Sequence, residues 1–314
     1  MQRTSFIWLL VLMIGMPGLH AQIRLDWSMN DAMFFTVNPA YSALAPALTA
    51  GLTHARKWQN LRSSPTQSVL GLLVPFTNER MGIGLNLFSE EEGPLNNNGV
   101  SFSYAYKMPL QKSGQDQLAL GASLRLMHVA FDQDHLNAAD HGDPLLSDID
   151  GNRLVPPSFS IGFHYQTGTP QYGSPVQFVF AGSMSRFVPF QDRFNTLSFG
   201  RTLQWHGLIG LEIAASQRIL ITPSLLLSDI GQNVVNYGLR IKAGYSKLGW
   251  AMMQYSKAGF LTTQLGIILG AGFSTDDVIE LSGSNSWNFG TLAGQIGNSL
   301  TFGLTYRKAV SHIR

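Results

Sequence analysis

The sequence predicts an all-β fold, a transmembrane antiparallel β-barrel of about fourteen strands with periplasmic N- and C-termini. Three observations carry that expectation. The first is composition: 13% of the 314 residues are charged, against about 25% in a typical soluble domain, while glycine reaches 32 residues and aromatics 11%. Mean hydropathy is only +0.06, as results when lipid-facing and lumen-facing residues average out along each strand. The second is a recurring two-residue period of apolar side chains. The third is that charges fall on the polar phase of that period, while the connections alternate between short and long.

Taken in chain order, the first element is an address. Arg3 supplies a positive start, Phe6 to Met16 an apolar run, and Pro17-Gly18 a break before Ala21. Residues 1–21 therefore read as a cleavable signal peptide leaving Gln22 first, although Leu19 is bulkier than the residue preferred three places before a cut. The run is too short to span a bilayer comfortably, and no other stretch approaches the ~18 apolar residues of a transmembrane helix. Residues 22–46 precede the first clear strand and carry Trp27, Met29, Met33, Phe34 and Phe35. They are expected as a periplasmic or lumenal segment, a candidate plug.

Residues 47–314 form the barrel. Strands are expected near 47–57, 66–75, 80–89, 99–109, 117–131, 157–167, 176–186, 206–215, 219–227, 235–245, 249–255, 262–273, 278–285 and 298–308. The alternation is clearest where Phe102, Tyr104 and Tyr106 interleave with Ser103 and Ala105. It recurs where Phe159, Ile161 and Phe163 interleave with Ser160 and Gly162, and where Phe302 and Leu304 flank Gly303. A soluble sandwich alternates too, so the charges decide. Lys107, Arg125, Glu212, Arg240 and Lys242 lie inside otherwise apolar strands. Facing lipid at mid-depth, an Arg or Lys costs roughly 2–4 kcal/mol, so all five are assigned to the lumen.

Links such as Thr77 to Glu79 and Ser216 to Arg218 are short. Those spanning Glu90 to Asn98, Asp132 to Pro156, Phe187 to Trp205 and Ser286 to Gly297 are long. Short periplasmic turns with long outer loops are the habit of outer-membrane barrels. Tyr106, Tyr165, Tyr245, Trp250 and Tyr306 fall near strand ends, where amphipathic rings settle at the membrane interface. The predicted location is therefore the outer membrane, in contact with its lipid.

Catalysis has little support. The chain has no cysteine, which removes thiol chemistry and disulfides, and it contains no G-x-S-x-G, H-E-x-x-H or P-loop. The one titratable cluster holds Asp132, Asp134, His135, Asp140, His141, Asp143, Asp148 and Asp150. Gly151 falls at the wrong offset for a calcium loop and the closing Glu is missing, so a solvated acidic loop is the simpler reading. No cofactor or metal is expected, and a net charge of +2 points to no nucleic-acid partner.

A family resemblance supplies a role. Asn38-Pro39-Ala40-Tyr41, Arg56-Lys57-Trp58, Ser64-Pro65-Thr66, Gly82-Ile83-Gly84-Leu85, Gly93-Pro94-Leu95-Asn96-Asn97-Asn98-Gly99, Tyr104-Ala105-Tyr106-Lys107 and Asp143-Pro144 occur in order over about residues 30–165. In this the chain resembles the PorP/SprF family of the type IX secretion system of Bacteroidetes. Beyond residue 165 the similarity is one of architecture and length, and Tyr306 is followed by Arg307 to Arg314 rather than by a terminal aromatic.

The resemblance implies an accessory barrel that captures or anchors a secreted protein bearing a C-terminal signal. In some members that protein is a gliding adhesin. The implied partners are the C-terminal domain of that cargo or adhesin and, on the periplasmic side, the secretion scaffold. The matched motifs read as structural pieces: Asn38-Pro39 as a turn, Gly93-Pro94 with Asn96 to Asn98 as a rigid loop, and Trp58 as an interface anchor. The alternative reading is a porin or transporter for a hydrophobic or small polar solute, since a barrel of this size has room for a ligand.

Overall fold

A computed structural model describes residues 31–76, 80–110, 116–131, 153–154, 157–168, 176–186, 191–194, 197–200, 203–229, 235–245, 248–256, 260–270, 277–289 and 293–308. Fourteen strands among them form the ring: β1 (Leu48–Arg56), β2 (Thr66–Pro75), β3 (Met81–Glu92), β4 (Leu95–Pro109), β5 (Gln117–Phe131), β6 (Pro157–Gln166) and β7 (Val176–Ser185), then β8 (Gln204–Ala214), β9 (Ile219–Asp229), β10 (Asn236–Tyr245), β11 (Gly249–Ser256), β12 (Phe260–Gly270), β13 (Val278–Asn288) and β14 (Ser299–Lys308). Each pairs antiparallel with its neighbours in sequence, and β1 pairs with β14 from Leu48↔Lys308 to Arg56↔Leu300. The sheet thus closes. Closure is what hydrocarbon demands, because an open edge would leave unpaired amides at several kcal/mol each. No helix among the described residues is long and apolar enough to cross a membrane.

The period-two patterns sort as expected for a barrel in lipid. Large apolar side chains such as Leu52, Leu70, Phe102, Phe163, Ile241 and Phe302 face outward and are exposed. Residues of the other phase face the lumen and are buried, among them Thr53, Asn86, Ser103, Gln177 and Thr305. Pro223 sits within β9 without breaking it, and the β8–β9 ladder, in one register throughout, is interrupted at Leu211 and Glu212 opposite it. A residue with no N–H can be placed where the ladder is interrupted.

Two expectations need correction. The loop expected from Glu90 to Asn98 does not exist. β3 and β4 run on to a tight turn at Gly93-Pro94, and Glu92 pairs with Leu95. Gly93 takes the left-handed conformation there, with φ of 59°, which glycine adopts without a steric penalty. Hydropathy alternation stops where lipid stops, but a backbone ladder needs no lipid and continues into water. Side chains support that extension: Gln67 Nε2 donates to Glu90 Oε1 at 2.8 Å, and Asn98 Nδ2 to Asn96 Oδ1 at 2.7 Å. The loop expected over 187–205 is likewise shorter, since β8 begins at Gln204, and a small hairpin pairs Gln191–Phe194 with Leu197–Gly200.

The second correction is Trp250. It was assigned to the interface girdle by its place at a strand end, yet it lies on the lumen phase of β11. Its indole Nε1 donates to Glu280 Oε1 at 3.1 Å, and the Lys242 ammonium stands 4.3 Å from the ring centroid. Tyr106 and Tyr245 do face outward. Tyr165 and Tyr306 reach Asp116 and Asp277 with their hydroxyls, at 3.4 and 3.1 Å.

Ile241 lies midway along β10 on the outer face and is exposed. Ile241→Arg is expected to lower barrel stability in vesicles by roughly 2–4 kcal/mol, read as the urea midpoint of its heat-sensitive gel migration.

Candidate functional site

The lumen is filled by the chain itself. Two short 3₁₀ turns, Asp31–Thr36 and Pro39–Ala43, lie inside the ring, and Met33, Phe35, Ala40, Ser42 and Ala43 are all buried. Such short turns leave many backbone groups without partners inside the turn, and side chains answer for several of them. Asn38 caps the second turn, its Oδ1 accepting from the Ala40 N–H at 3.1 Å, while Pro39 sits in the first helical position, where its missing N–H costs nothing. The Asn38 amide then donates to the Phe163 carbonyl at 3.0 Å. Ser42 and Ser103 share a hydroxyl hydrogen bond of 2.7 Å, and Arg125 Nη2 donates to the Thr36 carbonyl at 3.1 Å.

The wall is shaped to receive these turns. Ladder pairing places Gly82, Ala105, Gly121, Gly162, Ser183 and His206 side by side across β3 to β8. A Cβ on Gly82 would overlap the Ser42 carbonyl, one on Gly121 the Pro39–Ala40 backbone, and one on Gly162 the Asn38 side chain. Gly51, Gly71 and Gly84 similarly make room for Met33 and Phe35. Glycine in a strand marks close approach of other backbone, and here the approaching backbone is the N-terminal segment.

From that groove the segment bridges to the far wall. Tyr41 sets the edge of its ring against His164, with centroids 4.9 Å apart, and packs on the buried cluster Val179, Ala181, Leu208 and Leu226. Phe34 lies 5.5 Å from Tyr41 and beneath the Arg240 guanidinium, 5.1 Å from its ring centroid.

The residues singled out from sequence are distributed accordingly. Arg125, Glu212, Arg240 and Lys242, with Lys107, lie on the lumen phase of their strands. Arg125 covers Phe88 at 4.8 Å, and Arg240 Nε donates to Ser224 at 3.0 Å. Asn38, Pro39, Ala40 and Tyr41 form the plug. Arg56, Trp58, Pro65 and Thr66 belong to the first hairpin. There the Trp58 backbone is left-handed, with φ of 52°, and its N–H donates to Ser299 Oγ at 3.2 Å. Gln59 and Asn60 donate on to Asn298 and Ile296, so this loop locks onto the one before β14.

Gly93 and Pro94 make the β3–β4 turn, and Asn96, Asn97 and Gly99 extend its ladder. Tyr104 and Tyr106 face outward. The signal-peptide residues 1–21, residues 22–30, Asp143-Pro144 and the acidic residues Asp132 to Asp150 lie outside the described residues.

Sequence reasoning missed the glycine row. Its signal is present as lumen-phase glycine on three strands, but only the strand register shows that the three align.

Fold and filled lumen together define a β-barrel membrane protein closed by its own N-terminal segment. The chain belongs to the family described as type IX secretion system membrane protein PorP/SprF, matched over residues 29–312. No curated protein sequence matches it. Among solved structures it is similar to the CymD monoaromatic hydrocarbon channel, at 13% identity and a TM-score of 0.52 over 95% of this chain and 96% of that one. It is also similar to a TodX deltaS2S3 mutant monoaromatic hydrocarbon channel, at 8% identity and 0.54 over 88% and 94%. The Ralstonia pickettii toluene transporter TbuX follows at 11% and 0.51 over 88% and 93%. These likenesses show a shared fold, and with the family they indicate the outer membrane.

Gly121→Val drives a side chain into the Ala40 backbone, so it should undock the segment, as should deletion of residues 22–43. Each is expected to raise single-channel conductance in planar bilayers several-fold over wild type; unchanged conductance in both would sink the plug assignment. Asn38→Ala removes two hydrogen bonds and is expected to cost about 1–3 kcal/mol, read as faster protease cleavage within residues 31–46.

Proposed function

We propose that this barrel is an accessory component of the type IX secretion system that captures or anchors a secreted protein, recognised by its C-terminal signal domain, at the cell surface. The observation that supports this reading most is the filled lumen in a member of this family. A barrel whose interior is occupied by a hydrogen-bonded segment from its own chain is built to hold a shape rather than to conduct. The mouth at the Arg56 end of β1 then meets the cargo, and the short links at the end where β1 begins and β14 finishes meet the secretion scaffold in the periplasm. Residues 1–21 direct export and are removed. The partner is a gliding adhesin if the organism glides. The protein acts by binding, without a catalytic step.

A second reading, passage of a hydrophobic solute, is favoured by one cavity. It spans about 220 Å³, its open side included, and Phe34, Tyr41, Ala181 and Leu208 line it beside Asn38, Ser183 and His206. The similar solved barrels are hydrocarbon channels and a toluene transporter.

A native pull-down of the tagged protein from its own outer membrane, read by mass spectrometry, tests the first reading. Recovery of one large secreted protein or of scaffold components is expected. Recovery of the barrel alone, together with toluene uptake into vesicles that carry it, would replace capture with transport.

A further inference from the structure

Beyond the plug, toward the mouth opposite the Leu48–Lys308 end of the β1–β14 seam, the lumen wall carries a shelf of hydrogen-bond donors. The ladder aligns Ser123, Ser160, Ser185 and Gln204 one lumen row beyond the glycine row. The next row out pairs Arg125 with Ser158. Arg186 follows immediately after β7 and holds a left-handed backbone, with φ of 59°, its N–H donating to the Phe159 carbonyl at 3.0 Å. That conformation is sterically disfavoured for a non-glycine residue, and such positions cluster where a side chain must be aimed.

Arg125, Arg186, Ser158, Ser160, Ser185 and Gln204 converge on one cavity of about 500 Å³, its open side included, which the plug closes beneath with Thr36 and Val37. Two arginines, three serines and Thr36 line it, and no carboxylate does so among the described residues.

We propose that this cavity is a carboxylate receptor, taking an acidic side chain or the chain terminus of the polypeptide that the barrel holds. The assignment rests on the capture reading for its partner but not for its chemistry. Two planar forks suit the two oxygens of a carboxylate, and charge-assisted bonds to them are about twice as strong as neutral ones. The lumen wall shuts lipid headgroups out. The volume admits one side chain or chain end, not a folded domain, so what enters is the tip of a loop or a terminus. Arg125 joins both functions, since the guanidinium that lines the cavity also holds the Thr36 carbonyl of the plug.

The test uses full-length protein in detergent and three N-acetylated pentapeptides of Gly and Ser, with affinity read by saturation-transfer NMR titration. One has a free C-terminus, one is amidated with a central Glu, and one is amidated with a central Gln. At least one carboxylate peptide should bind ten-fold or more tightly than the Gln peptide. Which one does so tells a chain end from a side chain. Arg186→Gln should weaken that binding about ten-fold, and Ser160→Ala several-fold. Heat-sensitive gel migration confirms that both variants remain folded.

Equal binding of all three peptides, binding of none, or an unchanged affinity in Arg186→Gln overturns the assignment. The native pull-down separates this result from the capture reading. A partner recovered equally by wild type and Arg186→Gln leaves capture standing and removes the carboxylate site. Arg186-dependent peptide binding with no partner recovered keeps the site and removes capture.

Discussion

A ring of fourteen strands in lipid settles its backbone hydrogen bonds by closing, and by closing it creates an interior too wide for wall side chains alone to fill. Everything else in this molecule answers that constraint. The chain threads its own N-terminal turns into the space and thins the facing wall to bare backbone where they touch. Gly82 and Gly121 are small because the Pro39–Ser42 backbone lies where their side chains would be, and Gly162 because the Asn38 side chain does. Asn38 closes the arrangement chemically, capping a turn with one end of its amide and binding a wall carbonyl with the other.

The two walls of the lumen are built differently. From β3 to β6 the row of the inner face on which the second turn seats is glycine and alanine (Gly82, Ala105, Gly121 and Gly162), a surface against which the N-terminal segment packs closely. From β9 to β14 it is richer in polar side chains, several of which bond to one another. Glu280 accepts from Trp250 and pairs with Arg307 at 2.9 Å, Arg240 binds Ser224, and Thr262 meets Ser286 at 2.7 Å. The Glu280 side chain is only 3% exposed, and removing one partner of such a buried pair is strongly destabilising. One wall is held by fit, the other by charge and hydrogen bonds.

Much of this was legible in the sequence because lipid imposes a strict two-residue period. The alternation around Phe102, Phe159 and Phe302 gives strand phase directly, and the cost of a charge in lipid sends Arg125, Arg240 and Lys242 inward. Legibility ended where lipid ended. Asn96 to Asn98 look like a loop because they are polar, yet they pair normally once the strands emerge into water. Trp250 was misplaced because strand-end position was weighed above phase: counted from Met252 and Gln254, it belongs inside. The plug motif Asn38-Pro39-Ala40-Tyr41 was visible as a turn, but its receptor was not. That receptor is assembled from strands up to 125 residues away, and only the register brings them level.

The distribution of the groove along the chain also sets an order of assembly. All the glycines that receive the plug lie between Gly51 and Gly162, and the Asn38 anchor is the Phe163 carbonyl. The glycine groove is complete once β6 has paired, before half of the strands have joined; the contacts of Tyr41 and Phe34 with β7 to β10 come later. The plug is therefore able to seat in an open half-shell, with the later strands curling round it until β14 meets β1. Seen this way the segment is a mandrel on which the cylinder is wound, and the last seam to form is the one beside which it began.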